Sequence, residues 1–537
     1  MQRLPNRAKI SAPQTLAFRR PVSSLAYRKG TWNRALHPAS LALLLYCGTE
    51  HSQERWYDLL RKLLCGLFLT ALAATAGAQT IVNLKNQAPD GAQLTFQLTD
   101  GTVLAQGYND SDWWLLTPDN TGSYQNGTWA QVASLPSGYS PEAFASAVLA
   151  DGRLIIVGGE YNYGNFTLTN LAAIYDPASK TWTSLTLPKA VSYVGDSPSL
   201  VLPNGTFIFG DKLVKGDVAL DPKTMKWTYG FPPGKSDFNA EEGWTLMPDG
   251  TILTADVKNA PNSEIFNPAT IKWTSAGSTI VDLHSPSPFG CLNFGPNGEY
   301  CYYPPGEIGP AILRPNGTVF ATGSTPQGGT SGNTAIYTPG KNGAPGTWTP
   351  GPSFPPGDDA GDEFAALLPN GNVLVDGNSG YSYEFDGTNF KRGLATNYQS
   401  LMVLPTGQVL LGGSQLYAST GTYQQAWAPT ITSAPSTVTR GSTYKITGTQ
   451  FNGLSQAAAF GDEYQTATNY PLVRITNQST GHVFYAKTHD HSTMGVATGS
   501  KSVFTNFDVS SATETGASTL VVVANGIPSA PVDVTVQ

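Results

Sequence analysis

Oxygen-bearing side chains recur at one position of a repeated pattern in this 537-residue chain. Each stands eight to eleven residues before the glycine of a turn signal such as Asp-Gly or Asn-Gly. The set consists of Asp90, Glu142, Asp196, Glu241, Glu242, Asp362, Glu363 and Gln399. Carboxylates gathered at one place can bind a hard cation such as Ca²⁺ or hydrogen-bond the hydroxyl groups of a sugar. The sequence favours a solvated acidic rim over a specific ion site.

A second candidate is the segment His489-Asp490-His491, which places two imidazoles on the same side of an extended chain. Such a pair could chelate a metal ion, but a structural metal site needs four ligands. We therefore interpret the segment as a polar loop.

Four aromatic residues form a third candidate. Trp113, Trp114, Tyr161 and Tyr163 fall on predicted loops or strand edges, where their rings could stack on sugar rings. Aromatic residues in repeat proteins more often pack between repeats, and the sequence favours that interpretation.

The four cysteines divide into two pairs. Cys47 and Cys65 precede residue 79, whereas Cys291 and Cys301 lie ten residues apart in the remainder of the chain. In an exported protein the second pair is most simply a disulfide that closes one loop. The alternative is a free reactive thiol, which requires both cysteines to stay reduced outside the cell.

Seven predicted hairpins position these residues. Asp-Gly and Asn-Gly between apolar runs are typical of two-residue turns in which both residues have positive φ. The turns are Asp100-Gly101, Asp151-Gly152, Asn204-Gly205, Asp249-Gly250, Asn316-Gly317, Asn370-Gly371 and Thr406-Gly407. Most hairpins are followed by an aromatic residue or Leu and then by a Trp, so that four strands fit in each repeat.

The spacing of the turns predicts the fold. The turn glycines recur every 51 residues on average, which is typical of a propeller blade, and residues 79–428 resemble the kelch family. We expect a seven-bladed β-propeller in which residues 80–89 supply the outer strand of the last blade. Residues 429–537 resemble an immunoglobulin-like early-set (IPT/TIG) β-sandwich. The 57 glycines and 39 prolines, with only 13% charged residues, favour this all-β fold over helical bundles.

The first 78 residues differ from the rest. Arg61 and Lys62, an apolar run from residue 63 to 73 and small residues up to Ala78 predict a secretory signal peptide over 61–78. Residues 1–60 are then a non-structural extension, either from a start codon placed too far upstream or, less favoured, an Arg-rich presequence. The apolar run is too short to span a membrane, so we expect a secreted, periplasmic or cell-surface protein.

The charge distribution excludes nucleic acid as a partner. Residues 1–78 hold 11 basic and 3 acidic residues, which leaves 20 basic and 35 acidic residues in 79–537. A nucleic-acid-binding protein needs a basic stripe to neutralise phosphates, and no such stripe follows residue 78.

A secreted seven-bladed kelch propeller followed by an early-set domain resembles the galactose oxidase family. The resemblance implies a copper-radical oxidase of alcohols, whose copper is held by two tyrosines and two histidines, with one tyrosine crosslinked to a cysteine. It places the family's Tyr-His pair at Tyr398 and Gln399, so that the histidine is replaced by an amide. It places the second histidine at His489.

The crosslinked pair of that family has no counterpart in this sequence. No cysteine precedes Cys291 in the mature chain, and Ala143 stands at the place of the crosslinked tyrosine. Because a cupric centre prefers imidazole to an amide oxygen, we predict that copper is not bound and that no cofactor is required. Calcium remains a candidate ligand of Asp196, Glu241, Glu242, Asp362 and Glu363.

The sequence therefore favours a secreted, non-catalytic propeller that binds an extracellular carbohydrate or protein on its carboxylate-lined face. The residues expected on that face are Glu142, Asp196, Glu242, Asp362, Glu363, Tyr398, Gln399 and His489. One alternative is an enzyme, either a diverged copper-radical alcohol oxidase or a hydrolase that uses Glu242 and Asp362. A purely structural, adhesin-like module is the other alternative.

Overall fold

The computed structural model describes residues 79–191, 193–286, 290–293, 299–302, 306–340, 345–397, 400–461, 463 and 465–537. The expected extension and signal peptide at 1–78 lie outside this range. Within it, β-strands make up nearly all of the regular structure. None of the described helices is long and apolar enough to cross a membrane.

Seven antiparallel sheets form the blades of a β-propeller, as the turn spacing predicts; six have four strands, and the sheet of blade 6 has a fifth strand from the following domain. The strand β1 (Thr80–Asn83) precedes the first blade. Blade 1 consists of β2 (Leu94–Gln97), β3 (Val103–Gln106), β4 (Trp113–Thr117) and β5 (Thr128–Gln131). Blade 2 consists of β7 (Ala145–Val148), β8 (Leu154–Val157), β11 (Ala172–Asp176) and β12 (Thr181–Leu185). A small sheet beside it consists of β6 (Pro141–Glu142), β9 (Tyr161–Asn162) and β10 (Asn165–Phe166).

Blades 3 and 4 continue the same pattern. Blade 3 consists of β13 (Ser199–Val201), β14 (Phe207–Gly210), β15 (Asp217–Asp221) and β16 (Lys226–Gly230). Blade 4 consists of β17 (Thr245–Leu246), β18 (Ile252–Ala255), β19 (Asn262–Asn267) and β20 (Lys272–Ser278). An inserted hairpin then forms from β21 (Gly290–Asn293) and β22 (Glu299–Tyr302).

The last three blades complete the ring. Blade 5 consists of β23 (Ile308–Leu313), β24 (Val319–Gly323), β25 (Thr334–Thr338) and β26 (Thr347–Pro350). Blade 6 consists of β27 (Ala365–Leu367), β28 (Val373–Asp376), β29 (Tyr381–Phe385) and β30 (Phe390–Ala395). Blade 7 consists of β31 (Leu401–Val403), β32 (Val409–Leu411), β33 (Gln415–Ala418) and, as its outer strand, β1.

A β-sandwich follows a short 3-10 helix at Gln425–Trp427. Its strands are β34 (Thr430–Ser433), β35 (Thr437–Val438), β36 (Thr443–Thr449), β38 (Leu472–Asn477), β39 (Val483–His489), β40 (Val503–Asp508), β41 (Gly516–Ala524), β42 (Ile527–Pro528) and β43 (Val532–Val536). The sandwich has its own apolar core, which includes Ile446, Ile475, Phe507 and Val522. The strand β37 (Ala458–Ala459) belongs to neither layer and joins a blade of the propeller.

The seven turns differ in one respect from the expected two-residue type. Each turn glycine has a positive φ, for example +80° at Gly101 and +91° at Gly205. The preceding Asp, Asn or Thr is not among the described residues with positive φ. Instead Asp100 accepts the backbone N–H of Thr102 at 3.0 Å, and Gly101 donates to Leu98 O at 3.2 Å. The loops are therefore type I turns followed by a glycine bulge, in which only the glycine must be left-handed.

Tryptophans on the outer strands of blades 2, 4 and 5 contact the preceding blade. Trp182 of blade 2 packs on Trp113 of blade 1 with ring centroids 4.8 Å apart. The indole N–H of Trp273 in blade 4 donates to Asp217 of blade 3 at 3.2 Å, and Trp348 of blade 5 donates to blade 4 in the same way. The complete burial of Trp113 confirms packing as its role.

The sandwich packs on the end of the propeller where the seven glycine turns lie. Thr488 donates to Thr99 O at 3.1 Å, and Met494 donates to Pro203 O at 3.1 Å. Both acceptors lie beside turn residues of blades 1 and 3. We call this end the turn face and the opposite end the mouth.

A loop of the sandwich enters the propeller channel. Its strand β37 pairs with the innermost strand of blade 6, so that Ala458 lies opposite Ala366. Gln456 accepts the N–H of Leu246 in blade 4 at 2.9 Å, and Thr466 donates to Leu401 O in blade 7 at 3.3 Å. We call residues 455–467 the plug.

The cysteine pair lies in the inserted hairpin, where Cys291 and Cys301 are Cα partners of β21 and β22. Directly opposite residues in antiparallel strands have Cα atoms about 4.5 to 5.5 Å apart, which is within the range of disulfides. The backbone register is thus compatible with the predicted disulfide.

We expect secreted protein to contain this disulfide. Alkylation of the purified protein under denaturing but non-reducing conditions should label neither Cys291 nor Cys301. Reduction before alkylation should make both cysteines react with the reagent. Peptide mass spectrometry would measure this. Labelling of both residues without reduction would show that they are free thiols.

Closure of the ring by β1 generates a prediction about stability. Leu84, just after β1, is buried against Met402 and Leu416 of blade 7, whereas Val82 is 36% exposed. We expect Leu84→Ala to lower the free energy of unfolding by about 2 to 5 kcal/mol. Val82→Ala is the control and should change it by less than about 0.5 kcal/mol. Denaturant unfolding measures both, and equal effects would show that this segment does not anchor the ring.

Candidate functional site

A buried lysine surrounded by carboxyl groups lies at the mouth. Lys212 follows β14 and contacts Asp196, the Glu241 Oε1 atom at 2.9 Å and the Glu160 Oε1 atom at 3.7 Å. Lys212 is only 2% exposed. Since each contacted carboxylate comes from a different loop of blades 2 to 4, the lysine ties three loops together.

Three further carboxyl groups adjoin this lysine. Glu307 hydrogen-bonds Asp362, and both feel the negative charge of Glu241. Glu463 of the plug interacts electrostatically with Glu241, Glu160 and Lys212. We call the seven residues Glu160, Asp196, Lys212, Glu241, Glu307, Asp362 and Glu463 the mouth cluster.

Backbone conformation places two of these side chains. Glu241 and Asp362 have φ values of +58° and +54°, and each stands nine residues before a turn glycine. Ala143 has the same spacing and a φ of +51°. Left-handed conformations are uncommon for residues other than glycine and concentrate at functional sites. The repeated geometry therefore belongs to the mouth rather than to one blade.

The electrostatics of the mouth favour protonated carboxyl groups. Burial, together with the charge of Glu241, raises the pKa of Glu307 to about 7. Desolvation by the surrounding protein and the charge of Glu307 raise the pKa of Asp362 well above its ordinary value, although the residue still reaches solvent in the mouth. Burial likewise raises the pKa of Glu463. The cluster thus holds protons near neutral pH and can both donate and accept hydrogen bonds.

Glu242 directly follows Glu241 in the chain but does not belong to the mouth cluster. It is fully buried in blade 4, where the Lys235 Nζ atom donates to both of its oxygens at 2.6 and 2.8 Å and to Glu264 at 2.9 Å. Glu242, Asp256 and Glu264 each bring one oxygen within 4.8 Å of the others. Because Lys235 already supplies a positive charge to these carboxylates, we interpret the group as a buried ion-pair cluster and not as a ligand-binding surface.

Glu363 is also placed inside the propeller. It is 4% exposed, and burial together with the charges of Asp376, Asp358 and Asp359 raises its pKa to about 9. The carboxylate of Asp358 accepts the hydroxyl of Tyr383 at 2.5 Å. Glu363 is therefore separated from the mouth cluster in the same way as Glu242.

Glu142 belongs to a second acidic group at the mouth. It hydrogen-bonds Asp110, whose pKa is raised to about 6 by burial and by the charges of Glu142 and Asp90. We call Asp90, Asp110 and Glu142 the blade-1 acids, since they adjoin the loops of blade 1. Glu142 is also the Cα partner of Tyr161 in the β6–β9 pair.

Three further residues are expected on the ligand-binding face: Tyr398, Gln399 and His489. Tyr398 and Gln399 lie outside the described residues. His489 lies toward the turn face, where its Nδ1 atom contacts Asp490 at 2.8 Å and its Nε2 atom contacts Asp508 at 3.2 Å. The structure therefore does not bring His489 together with the mouth cluster. His491 is buried and contacts Thr505, so the two imidazoles have separate partners.

Four residues of the mouth cluster were missed by the sequence pattern. Glu307 stands ten residues before Gly317, so the spacing rule applies to it as well. Glu160 and Lys212 lie in the loops after the second strands of blades 2 and 3, where no turn signal marks them. Glu463 comes from the sandwich, and only the three-dimensional path of the plug reveals its place.

Exposed aromatic rings stand beside the cluster. The β9–β10 hairpin follows Glu160 directly and presents Tyr161, Tyr163 and Phe166, which are 36%, 55% and 47% exposed. The rings of Tyr161 and Phe166 meet edge to face with centroids 5.9 Å apart. Tyr161 lies close enough to Glu160, Glu142, Lys212 and Glu307 to feel their charges.

The chain is a propeller similar to galactose oxidase. Two curated galactose oxidase sequences of Gibberella zeae are each 29% identical to it over 252 residues, or 45% of this chain and 35% of theirs. The chain thus spans about a third of the length of these relatives. No family model matches the sequence.

Two solved structures match the chain at low identity. A fungal alcohol oxidase of the AA5 family in complex with copper is 14% identical, with a TM-score of 0.46, and the match covers 86% of this chain and all of that one. An extracellular domain assigned to a one-component system of B. thetaiotaomicron is 11% identical, with a TM-score of 0.41, over 86% of this chain and 58% of that one.

The described donors at the mouth do not fit copper. They are carboxyl oxygens and one ammonium group, which suit hard cations or hydroxyl groups, whereas copper prefers imidazole and thiolate. The four histidines in the described range find their contacts elsewhere, at Asp282, Glu514, Asp490 and Thr505.

The raised pKa of Glu307 generates a pH prediction. Because this pKa is about 7 in the folded protein against 4.5 ordinarily, the folded state holds the proton more tightly than the unfolded chain. Its contribution to stability is greatest below about pH 4.5 and is lost as the pH rises to 7. As the pH rises from 5 to 8, the melting temperature of Glu307→Gln should therefore fall by less than that of the wild type.

Thermal unfolding across this range measures the effect. The exposed Asp533 of β43 provides the control, since Asp533→Asn should leave the pH dependence of the wild type unchanged. Parallel pH profiles for Glu307→Gln and the wild type would contradict the assignment of a raised pKa to Glu307.

Proposed function

We propose that the protein is exported and binds an extracellular carbohydrate at the mouth of its propeller. The observation that carries the proposal is the juxtaposition of the mouth cluster with the exposed rings of the β9–β10 hairpin. Sugars have hydroxyl groups on their edges and apolar C–H groups on their faces. A site for them combines hydrogen-bonding side chains with flat aromatic rings.

The polar half of the site offers both donors and acceptors. Lys212 donates, ionised Asp196 accepts, and the carboxyl groups with raised pKa, such as Asp362 and Glu307, can do either. A hydroxyl group both donates and accepts, so it is satisfied by such a mixture. Burial of most of these groups strengthens each hydrogen bond relative to water.

The aromatic half is held in place by its own contacts. Tyr161 and Phe166 are Cα partners of the hairpin, and Tyr163 donates its backbone N–H to Ser140 O at 2.9 Å. The backbone N–H of Gly138 donates to the Tyr163 hydroxyl at 3.1 Å. These rings remain exposed although the loop is anchored, which favours a binding role over packing.

Export rests on the sequence of residues 61–78 and on the cysteine pair. An acidic, weakly charged body with one loop disulfide is in keeping with an extracellular protein. The proposal is a binding role without a resident cofactor, and Ca²⁺ at the mouth is retained only as a candidate for titration.

A second candidate function is an alcohol oxidase, which the 29% identity to galactose oxidase favours. The carboxyl-rich donor set at the mouth counts against it. Stoichiometric copper in purified protein, together with alcohol-dependent release of hydrogen peroxide, would establish the oxidase in place of the binding role.

The binding role predicts the effect of removing one ring. On a glycan array followed by calorimetry, Tyr161→Ala should weaken binding of the recognised glycan by about tenfold, since a stacked ring contributes up to about 1.5 kcal/mol beyond its buried area. Ile271→Ala is the matched control, because Ile271 is 62% exposed but lies on the turn face. Unchanged affinity in Tyr161→Ala, or the absence of any glycan ligand, would remove the proposal.

A further inference from the structure

The Tyr161 hairpin separates two acidic groups with few cations near them. On one side lies the mouth cluster, with six carboxyl groups and one ammonium group. On the other side lie the blade-1 acids, where the neutral Gln93 donates from its Nε2 atom to Asp110 at 2.6 Å. Both groups therefore retain unbalanced negative charge when they ionise.

A further exposed ring stands beside the blade-1 acids. Tyr108 is 68% exposed, and its backbone N–H donates to Asp90 O at 3.1 Å. The ring lies against Gly91, where an added Cβ atom would be only 2.1 Å from the Tyr108 Cε2 atom. The absence of a side chain at Gly91 thus allows the ring to lie flat on the backbone.

The two halves form one continuous surface. Asp110, two residues after Tyr108, hydrogen-bonds Glu142, and Glu142 pairs with Tyr161. The loops of blades 1 and 2 are also joined by the Ser140 hydroxyl, which donates to Asn109 O at 3.3 Å. Exposed rings and carboxyl groups therefore alternate from Tyr108 through the Tyr161 hairpin to the mouth cluster.

We propose that the carbohydrate is an oligosaccharide whose units carry amino groups, and that it lies across the Tyr161 hairpin from the mouth cluster to Tyr108. This inference rests on the proposed function and names its ligand class. Each unit of such a chain presents an apolar face to a ring and an ammonium group to a carboxylate. A neutral glycan satisfies the rings and the hydrogen bonds but offers no positive charge to the carboxyl groups that are ionised.

Charge complementarity has a second consequence. An ammonium group near Glu307 and Asp362 favours their ionised forms and lowers their raised pKa values. Binding of the oligosaccharide therefore releases protons from the mouth cluster at pH 6. A neutral ligand of the same length has no such effect on those pKa values.

The experiment compares three probes by calorimetry at pH 6 and low salt: a glucosamine hexamer, the N-acetylglucosamine hexamer and a lysine-rich peptide of matched charge. We expect the glucosamine hexamer to bind at least about tenfold more tightly than either of the others. The difference should shrink as salt is added, because exposed charges are screened. Titration in buffers of different ionisation enthalpy should show proton release for the glucosamine hexamer alone.

Variants test the path of the ligand. Tyr108→Ala should weaken binding of the glucosamine hexamer about tenfold but leave binding of a glucosamine dimer unchanged. Tyr161→Ala should weaken binding of both ligands, and Ile271→Ala should weaken binding of neither. Equal binding of the acetylated hexamer or of the peptide would overturn the inference, as would unchanged hexamer binding in Tyr108→Ala. In these cases a loss of glycan binding in Tyr161→Ala would still support the proposed function, so the two ideas fail separately.

Discussion

Closure of the propeller depends on the pairing of β1 with β33, in which Thr80 lies opposite Ala418. An open ring would leave the outer edge of blade 7 unpaired, and such edges invite aggregation. The partner strands are separated by most of the propeller sequence, so β1 is synthesised long before β33. At typical rates of synthesis this interval is on the order of tens of seconds. The ring can therefore close only after nearly all of the propeller has been synthesised.

The closed ring gives the two ends of the blades different roles. Glycine turns at one end are covered by the sandwich, and the loops at the other end carry the mouth cluster. The plug connects the two, since it starts in the sandwich, passes the inner strands and brings Glu463 to the mouth. The sandwich thus contributes to the site without lying beside it.

Much of the fold could be predicted from the sequence because each blade repeats the same local signals. The seven turn glycines and the tryptophans specify hairpins and blade contacts, and the ring follows from their number. The site was harder to predict. Spacing drew attention to Asp196, Glu241 and Asp362, which the structure places together in the mouth cluster, but a count of residues does not tell Glu241 from Glu242. The left-handed backbone at Glu241, which places that residue at the mouth while Glu242 is buried against Lys235, is visible only in the structure. Loop residues such as Lys212 have no periodic signal, and the small alanines at 457–459 become meaningful only when they are seen to pack in a narrow channel.

The plug has a consequence for how a polymer would be recognised. Because its residues occupy the channel and hydrogen-bond the inner strands of several blades, no chain can be threaded through the ring from one face to the other. A bound polymer has to approach from outside and lie side-on over the blades. If the proposed carbohydrate ligand is a polymer, its recognition requires no free chain end and can take place in the middle of a long strand.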